Sequence, residues 1–328
     1  MRKLTMKGAA ETLLEQLLFM KGQRPGTKAN LRDIFLKKLV KSTTQLFLQD
    51  QIIMEMEPPM IIVGGLFAHF YDLLTIFETY GYPPVQKYLF LGDYVGKGKE
   101  NIETITLLLC LKVQHPSHIF FIRGYHELSF VNENDGFKAE VLKRYDQELY
   151  DDFIKLFRYF PLAAIIGSRI LCINSGISNE IMSIDQVSIT VRPCQITKLS
   201  HVYHFLSATP DSSIDRWSDP AEHGDLRFGL SAVKEFLEMN KLQMIIRSHD
   251  IVEEGYEFPF DGDESILTLS SIPSYKNKEE KNGCILEMDI TLKILFKAVR
   301  PLAPIYRDYY QKKKKEKPLV TIRTRPVV

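Results

Sequence analysis

The chain is short of several things. It has one tryptophan and four cysteines in 328 residues. Cys110, Cys172, Cys194 and Cys284 lie far apart and form no C-x-x-C pair. That excludes a small disulfide-stapled scaffold and a cysteine-type zinc module, and it points to a reduced, intracellular setting. No apolar run approaches the roughly 20 residues that span a bilayer. The opening MRKLTMKGAAETLLEQLLFMKG has Glu11 and Glu15 inside its apolar stretch, unlike a secretory leader. A surplus of one charge is missing too. Lys plus Arg is 42 and Asp plus Glu is 41, so no global field recruits nucleic acid or membrane. The balance is uneven along the chain, because residues 301–328 carry eight basic and two acidic side chains. No repeat of 20–50 residues is present, which excludes solenoids and propellers.

What is present is ordinary globular material: 45% hydrophobic and 25% charged residues, enough for a sizeable core. Ala10–Lys21 places Leu13, Leu14, Leu17 and Leu18 at helical spacing and stops at Gly22. Leu31–Gln49 repeats that pattern. A second unit then recurs, a short apolar β-prone run ending in glycine or a polar cluster. The instances are Met60–Val63, Tyr88–Leu91, His118–Ile122, Ile170–Ile173 and Leu242–Ile246. Unalternated apolar runs of this length predict strands buried on both faces. Helical stretches such as Tyr71–Thr79 and Glu103–Val113 lie between them. The fold class is α/β, with site-forming loops at the strand C-terminal ends. No Pro/Gly/Ser-rich linker divides the chain. We therefore expect an extension over 1–9, one domain over 10–301 and a basic, flexible tail over 302–328. The run Lys312–Lys315 with Lys317 fits either a nuclear targeting signal or a solvated tail.

Eight histidines make each one informative. His126 and His249 end strands in RGYHE and RSHD, and Asp93 does so in LFLGDYVGKGK. A carboxylate and imidazoles converging on one sheet edge suit a metal or acid–base site, although each alone is an ordinary loop residue. His69, His115, His118, His201, His204 and His223 have no metal-type spacing and read as surface residues.

At these loops the sequence resembles the catalytic subunit of type-1 Ser/Thr protein phosphatases, within the metallophosphoesterases. The resemblance runs from about Ala10 to Pro301. It is carried by GQRPG (22–26), HFYDLLTIFETYGYPP (69–84), YLFLGDYVGKGKENIET (88–104), FFIRGYHE (120–127), PLAAII (161–166), WSDP (217–220), RSHDIVEEGYEF (247–258) and LSSIPSY (269–275). It implies a metallophosphoesterase fold, a central β-sandwich flanked by helices. It also implies two metal ions of the Mn, Fe or Zn type that activate a bridging water against a phosphate monoester.

The sequence departs from the resemblance at the chemistry. In the first motif, GDxHG, Gly65 and Phe67 replace the Asp and His ligands. In GDxVDRG the bridging carboxylate is kept as Asp93, but the second Asp is Gly96 and the Arg is Lys97. In RGNHE the ligand Asn is Tyr125, while the general-acid position keeps His126. In HGG the ligand His is Asn174, a weak neutral donor at best. The last ligand is kept as His249. Of six ligand positions, Asp93 and His249 are unchanged. Losing the Asp at Gly96 predicts that His126 has no orienting partner. Lys97 keeps a charge at the phosphate-clamp position without the bidentate fork of arginine. Arg227, off register, is a poor stand-in for a second phosphate-binding arginine.

The expected cofactor is therefore none, or one weakly bound divalent metal in place of the family pair. The expected function is that of a catalytically impaired, type-1-like pseudophosphatase serving as a protein-binding scaffold. The alternative is a divergent but active metal-dependent Ser/Thr phosphatase; a single-metal binding module lies between. The expected partners are regulatory proteins with short extended apolar docking motifs, together with phosphoproteins, and not nucleic acid or membrane. The expected location is cytoplasmic, nuclear or both. The docking groove implied by the resemblance maps to Met244, Phe258, Leu267, Leu292, Ile294 and Phe296, all apolar. Gln243 and Ile290 replace carboxylates on its rim. An equally direct reading makes these six residues core.

Overall fold

The computed structural model describes residues 5–219, 225–273 and 281–301, together with the backbone of 323–325. Its centre is a pair of six-stranded sheets. The strands in chain order are β1 Ile53–Met56, β2 Met60–Val63, β3 Tyr88–Phe90, β4 Ile119–Phe121, β5 Ala163–Ile166, β6 Ile170–Ile173, β7 Thr209–Pro210 and β8 Arg227–Phe228. After them come β9 Met244–Arg247, β10 Tyr256–Glu257, β11 Ile266–Leu269, β12 Gly283–Met288, β13 Ile294–Val299 and β14 Arg323–Arg325. One sheet has the order β1-β5-β6-β9-β11-β10 and the other β14-β13-β12-β2-β3-β4, while β7 and β8 pair separately. The strands β2, β3 and β4 are mutually parallel, as are β6, β9 and β11.

The period of two along each strand builds three apolar layers. Ile62, Leu89, Ile246, Leu267 and Leu286 point between the sheets and form the sandwich core. Their neighbours Ile61, Val63, Tyr88, Phe90 and Phe121 face the other way, against helices Met6–Leu18, Asp33–Phe47, Phe70–Tyr80, Asn101–Gln114 and Gln147–Phe157. Leu171, Ile173, Ile245 and Ile266 do the same on the second sheet, against helix Leu230–Met239. Buried on both faces, the strands are continuous apolar runs for that reason. The metallophosphoesterase fold expected from the sequence is the fold observed.

Three boundaries differ from the sequence reading. The first helix begins at Met6, because the Thr5 hydroxyl caps it by accepting from the Gly8 N–H at 3.1 Å. Ala9 is buried with Ala10, Leu13 and Leu17, so residues 6–9 belong to the domain and not to an extension. The strand expected at Leu242–Ile246 starts at Met244, since the Leu242 N–H still donates to Leu237 O at the end of the preceding helix. Within the expected tail, Arg323–Arg325 is a strand beside β13. The Lys312–Lys317 cluster lies outside the described residues, as does His223. His69 and His204, expected at the surface, are half-buried; His69 Nδ1 lies 3.1 Å from Asp72 Oδ2. All four cysteines are free, three of them buried. Among the described residues no helix is long and apolar enough to cross a membrane.

Candidate functional site

The C-terminal ends of β2, β3, β4, β6 and β9 open into loops at one edge of the sandwich, and the residues expected at the site sit there. Glu127 ties two of these loops together. Its buried carboxylate accepts from Asp93 N at 2.9 Å, Tyr94 N at 2.8 Å and Gly124 N at 2.8 Å. Asp93 O in turn accepts from Leu66 N and Phe67 N at 2.9 and 2.7 Å, which docks the loop after β2. Ser248 Oγ links that loop to the other sheet, accepting from Gly65 N at 2.7 Å and donating to Leu269 O at 2.8 Å. Phe67, Ala68, Asp93 and His249 hold φ values of 44°, 63°, 55° and 71°. Such left-handed backbone at non-glycine residues clusters where a surrounding network dictates it.

Asp93 is the centre of the arrangement and is fully buried. Its Oδ1 accepts from His126 N at 3.0 Å. Its Oδ2 lies 3.2 Å from Asn174 Nδ2 and 3.3 Å from His249 Nδ1. Burial alone would raise its pKa, but the His249 contact and the His126 charge prevail and hold it well below the ordinary carboxylate value. Glu127 moves the opposite way, because burial and the adjacent Asp93 charge outweigh its backbone donors. One of this carboxylate pair is thus anionic, and the other is driven towards its protonated form.

A profile of the calcineurin-like phosphoesterases matches residues 58–253, more than half of the chain and all five loops. The chain belongs to the calcineurin-like phosphoesterase family. A Ser/Thr protein phosphatase from Saccharomyces cerevisiae, described as similar to human phosphatase PP5, matches at 26% identity with a TM-score of 0.76; the match covers 97% of this chain and 96% of that one. A cold-active protein tyrosine phosphatase matches at 14% identity and a TM-score of 0.52, covering 78% and 80%, a likeness of fold alone.

A calcineurin-like phosphoesterase of this type is expected to hold a metal pair at these loops, and the residues present do not fit one. Among the described residues, no group of three or more His, Cys, Asp or Glu side chains is arranged for a metal ion. Gly65 offers no donor. A Cβ there would come within 2.6 Å of the Phe67 ring and 3.3 Å of Asp93 Cβ. Phe67 is 4% exposed, with its ring edge-on to His126 at 5.3 Å. The Tyr125 ring lies edge-on to His249 at 5.1 Å and beside Tyr203 at 6.4 Å. Asn174 is committed at both ends of its amide. Oδ1 accepts from Tyr125 N at 3.0 Å, and Nδ2 donates to Leu91 O at 2.7 Å as well as facing Asp93. The network fixes this orientation, because both neighbours of Nδ2 can only accept. Asn174 therefore presents N–H, not oxygen, to Asp93. Hydrogen-bond donors face Asp93, and aromatic rings pack on the histidines at its side.

His126 departs from expectation in another way. It has an orienting carboxylate, Asp135, whose Oδ2 lies 2.8 Å from His126 Nδ1. Burial lowers the His126 pKa, but Asp135, Asp93 and Glu127 together outweigh it and hold it above the usual imidazole value. At Gly96, with φ 133°, a Cβ would fall 2.7 Å from the same Nδ1. The partner lost at 96 has been replaced from 39 positions further along the chain. Sequence reasoning missed Asp135, because NENDGF reads as an ordinary turn. Lys97 is exposed, and its charge helps hold the Asp135 carboxyl below its ordinary value, behind the His126 contact. Arg227 is paired with Asp211 at 2.8 Å.

The six expected groove residues come together on the sandwich. Met244, Leu267, Leu292, Ile294 and Phe296 are buried in the inter-sheet core, and Phe258 packs against it half-buried. Phe296 is 1% exposed beneath Tyr256, with ring centroids 4.4 Å apart, and Phe258 lies 6.4 Å away. For five of the six the core reading holds, and only Phe258 keeps a partly open face.

Proposed function

We propose that this protein is a pseudophosphatase: a phosphoprotein-phosphatase-like domain that binds other proteins and does not turn over phosphate esters. The observation that carries the reading is the Asp93 carboxylate, faced by N–H donors, with the Phe67 and Tyr125 rings packed on the two histidines beside it. Two-metal hydrolysis needs both ions, since together they polarise the phosphate and lower the pKa of the attacking water. Gly65 and Phe67 offer no donor atom, Tyr125 only a neutral phenol, and the Asn174 oxygen already accepts from Tyr125 N. The retained Asp93 and His249 leave one weak divalent-metal position as the most this site holds. The partners we propose are regulatory proteins carrying short, extended apolar motifs, read through the region of Phe258 and β13, and phosphoproteins. The dispersed free cysteines suit a cytoplasmic or nuclear setting.

A second reading, a divergent active phosphatase, is favoured by one observation. Asp135 places a carboxylate 2.8 Å from the imidazole at the general-acid position and favours its charged form. Assays of the purified protein with a phosphopeptide and manganese separate the two. The pseudophosphatase reading expects hydrolysis no faster than that of an Asp93→Asn control. Manganese-dependent turnover lost in that control would establish the second reading instead.

A further inference from the structure

We propose that the segment around Arg323–Arg325 is a built-in occupant of the β13 edge, so that the chain masks its own strand-docking surface. β12 and β13 pair over six residues, from Gly283↔Val299 to Met288↔Ile294. Without a further strand, β13 would present a six-residue edge of unpaired backbone groups, a ready template for any extended chain. That edge is covered instead by β14, antiparallel, with Ile294↔Arg325, Leu295↔Thr324 and Phe296↔Arg323 in register.

The connection is topologically local. Antiparallel register places Arg323 opposite Phe296, so the chain returns along the strand it has just left, a β-hairpin with a long loop. The closure cost of such a loop grows only with the logarithm of its length. A tether of this length sustains an effective concentration of about a millimolar at its target edge. The segment is also suited to a strand by composition: Leu319, Val320, Thr321, Ile322 and Thr324 are apolar or β-branched. The surface it covers borders Phe258, the one groove residue with an open face. An incoming peptide that adds a strand to β13 therefore has to displace residues 323–325. If the tail segment on its own binds the bare edge with a dissociation constant of about 10–100 µM, an effective concentration of about a millimolar weakens any competing peptide roughly 10- to 100-fold. The device is a regulatory one, in which docking requires either a strong motif or release of the tail. It rests on the docking reading above only for the identity of what displaces the tail.

The test uses the full chain. Proline at both positions, Arg323→Pro with Thr324→Pro, removes the backbone N–H that faces β13 whichever of the two alternating amides it is. The matched control is Arg323→Ala with Thr324→Ala, which keeps both amides. Hydrogen exchange at the outward amides of β13 should accelerate at least tenfold in the proline variant and stay at the wild-type rate in the control. A labelled synthetic peptide of residues 318–328 should bind the proline variant at least tenfold more tightly than the wild type. Unchanged exchange at 294–296, or equal binding of the peptide to both proteins, would overturn the proposal. A Val-x-Phe-type peptide serves as a separate probe. If it fails on the proline variant while the 318–328 peptide binds, the partner reading fails and the cis-occupied edge stands.

Discussion

Gly65 and Phe67 are two departures from the family pattern that the structure turns into one. A Cβ on residue 65 would sit 2.6 and 2.9 Å from the Phe67 ring carbons Cε2 and Cζ, well inside van der Waals contact. The ring has little room to give, being buried and held edge-on against His126. Gly65→Ala should therefore behave as overpacking and cost about 1–3 kcal/mol. Gly65 is not among the residues with positive φ, so alanine meets no backbone penalty there. In a Phe67→Ala background the clash disappears, leaving only the tighter 3.3 Å approach to Asp93 Cβ. Gly65→Ala should then be neutral, or stabilising by up to ~1 kcal/mol through the loss of unfolded-state entropy. Phe67→Ala itself removes a buried aromatic and should cost about 3–5 kcal/mol. The quantity of interest is the coupling in the four-protein cycle, expected at about 1–3 kcal/mol. Urea titrations monitored by far-UV circular dichroism supply it, provided that the four slopes agree. If Gly65→Ala costs the same with and without the ring, to within about 0.5 kcal/mol, the two positions are independent. The claim that the ring fills the vacated metal place, and needs glycine beside it, would then be wrong.

Three further outcomes are expected. Asp135→Asn should lower the His126 titration midpoint in an NMR pH series, because Asp135 opposes the effect of burial there. A raised histidine pKa stabilises the fold below the unfolded value and is lost as pH rises through the folded one, while the lowered Asp135 pKa works in reverse on the acid side. The variant should thus be most destabilised between the two titrations, and an unmoved His126 midpoint would contradict the pairing. Glu127→Gln keeps one acceptor oxygen and turns its amide N–H towards the backbone donors of the other, either Tyr94 N or the pair Asp93 N and Gly124 N, and should cost about 2–3 kcal/mol in chemical denaturation; a loss under ~0.5 kcal/mol would mean that the carboxylate does not hold these loops. Phe296→Ala should cost about 3–5 kcal/mol as a core deletion, whereas the half-buried Phe258→Ala should cost about 1 kcal/mol; similar costs for both would contradict their different burial.

The strands were legible because burial on both faces leaves an unmistakable trace. MIIV, YLF and ILCI carry no charged position that would disguise them as half-exposed strands or amphipathic helices, and the Arg247 that ends MIIR is itself buried. The loops were legible through the resemblance, which placed Asp93, His126 and His249 together, and the structure brings them within contact distance. What could not be read was compensation across sequence distance. Nothing in the spacing of Asp135 ties it to Gly96, because the tie is a pair of loops folded against each other by Glu127. For a related reason the sequence left open whether the six groove residues line a surface or the core. An apolar residue on a two-sided strand can line a groove or a core, and only the partner sheet decides which. β14 escaped notice because three residues beside a lysine run have no periodicity to detect.

The central claim concerns metal, and equilibrium dialysis of the full chain against manganese, followed by elemental analysis, addresses it most directly. The arrangement around Asp93 predicts at most one weakly held ion per chain, and none in Asp93→Asn. Two ions per chain, lost in Asp93→Asn, would contradict the account at its root.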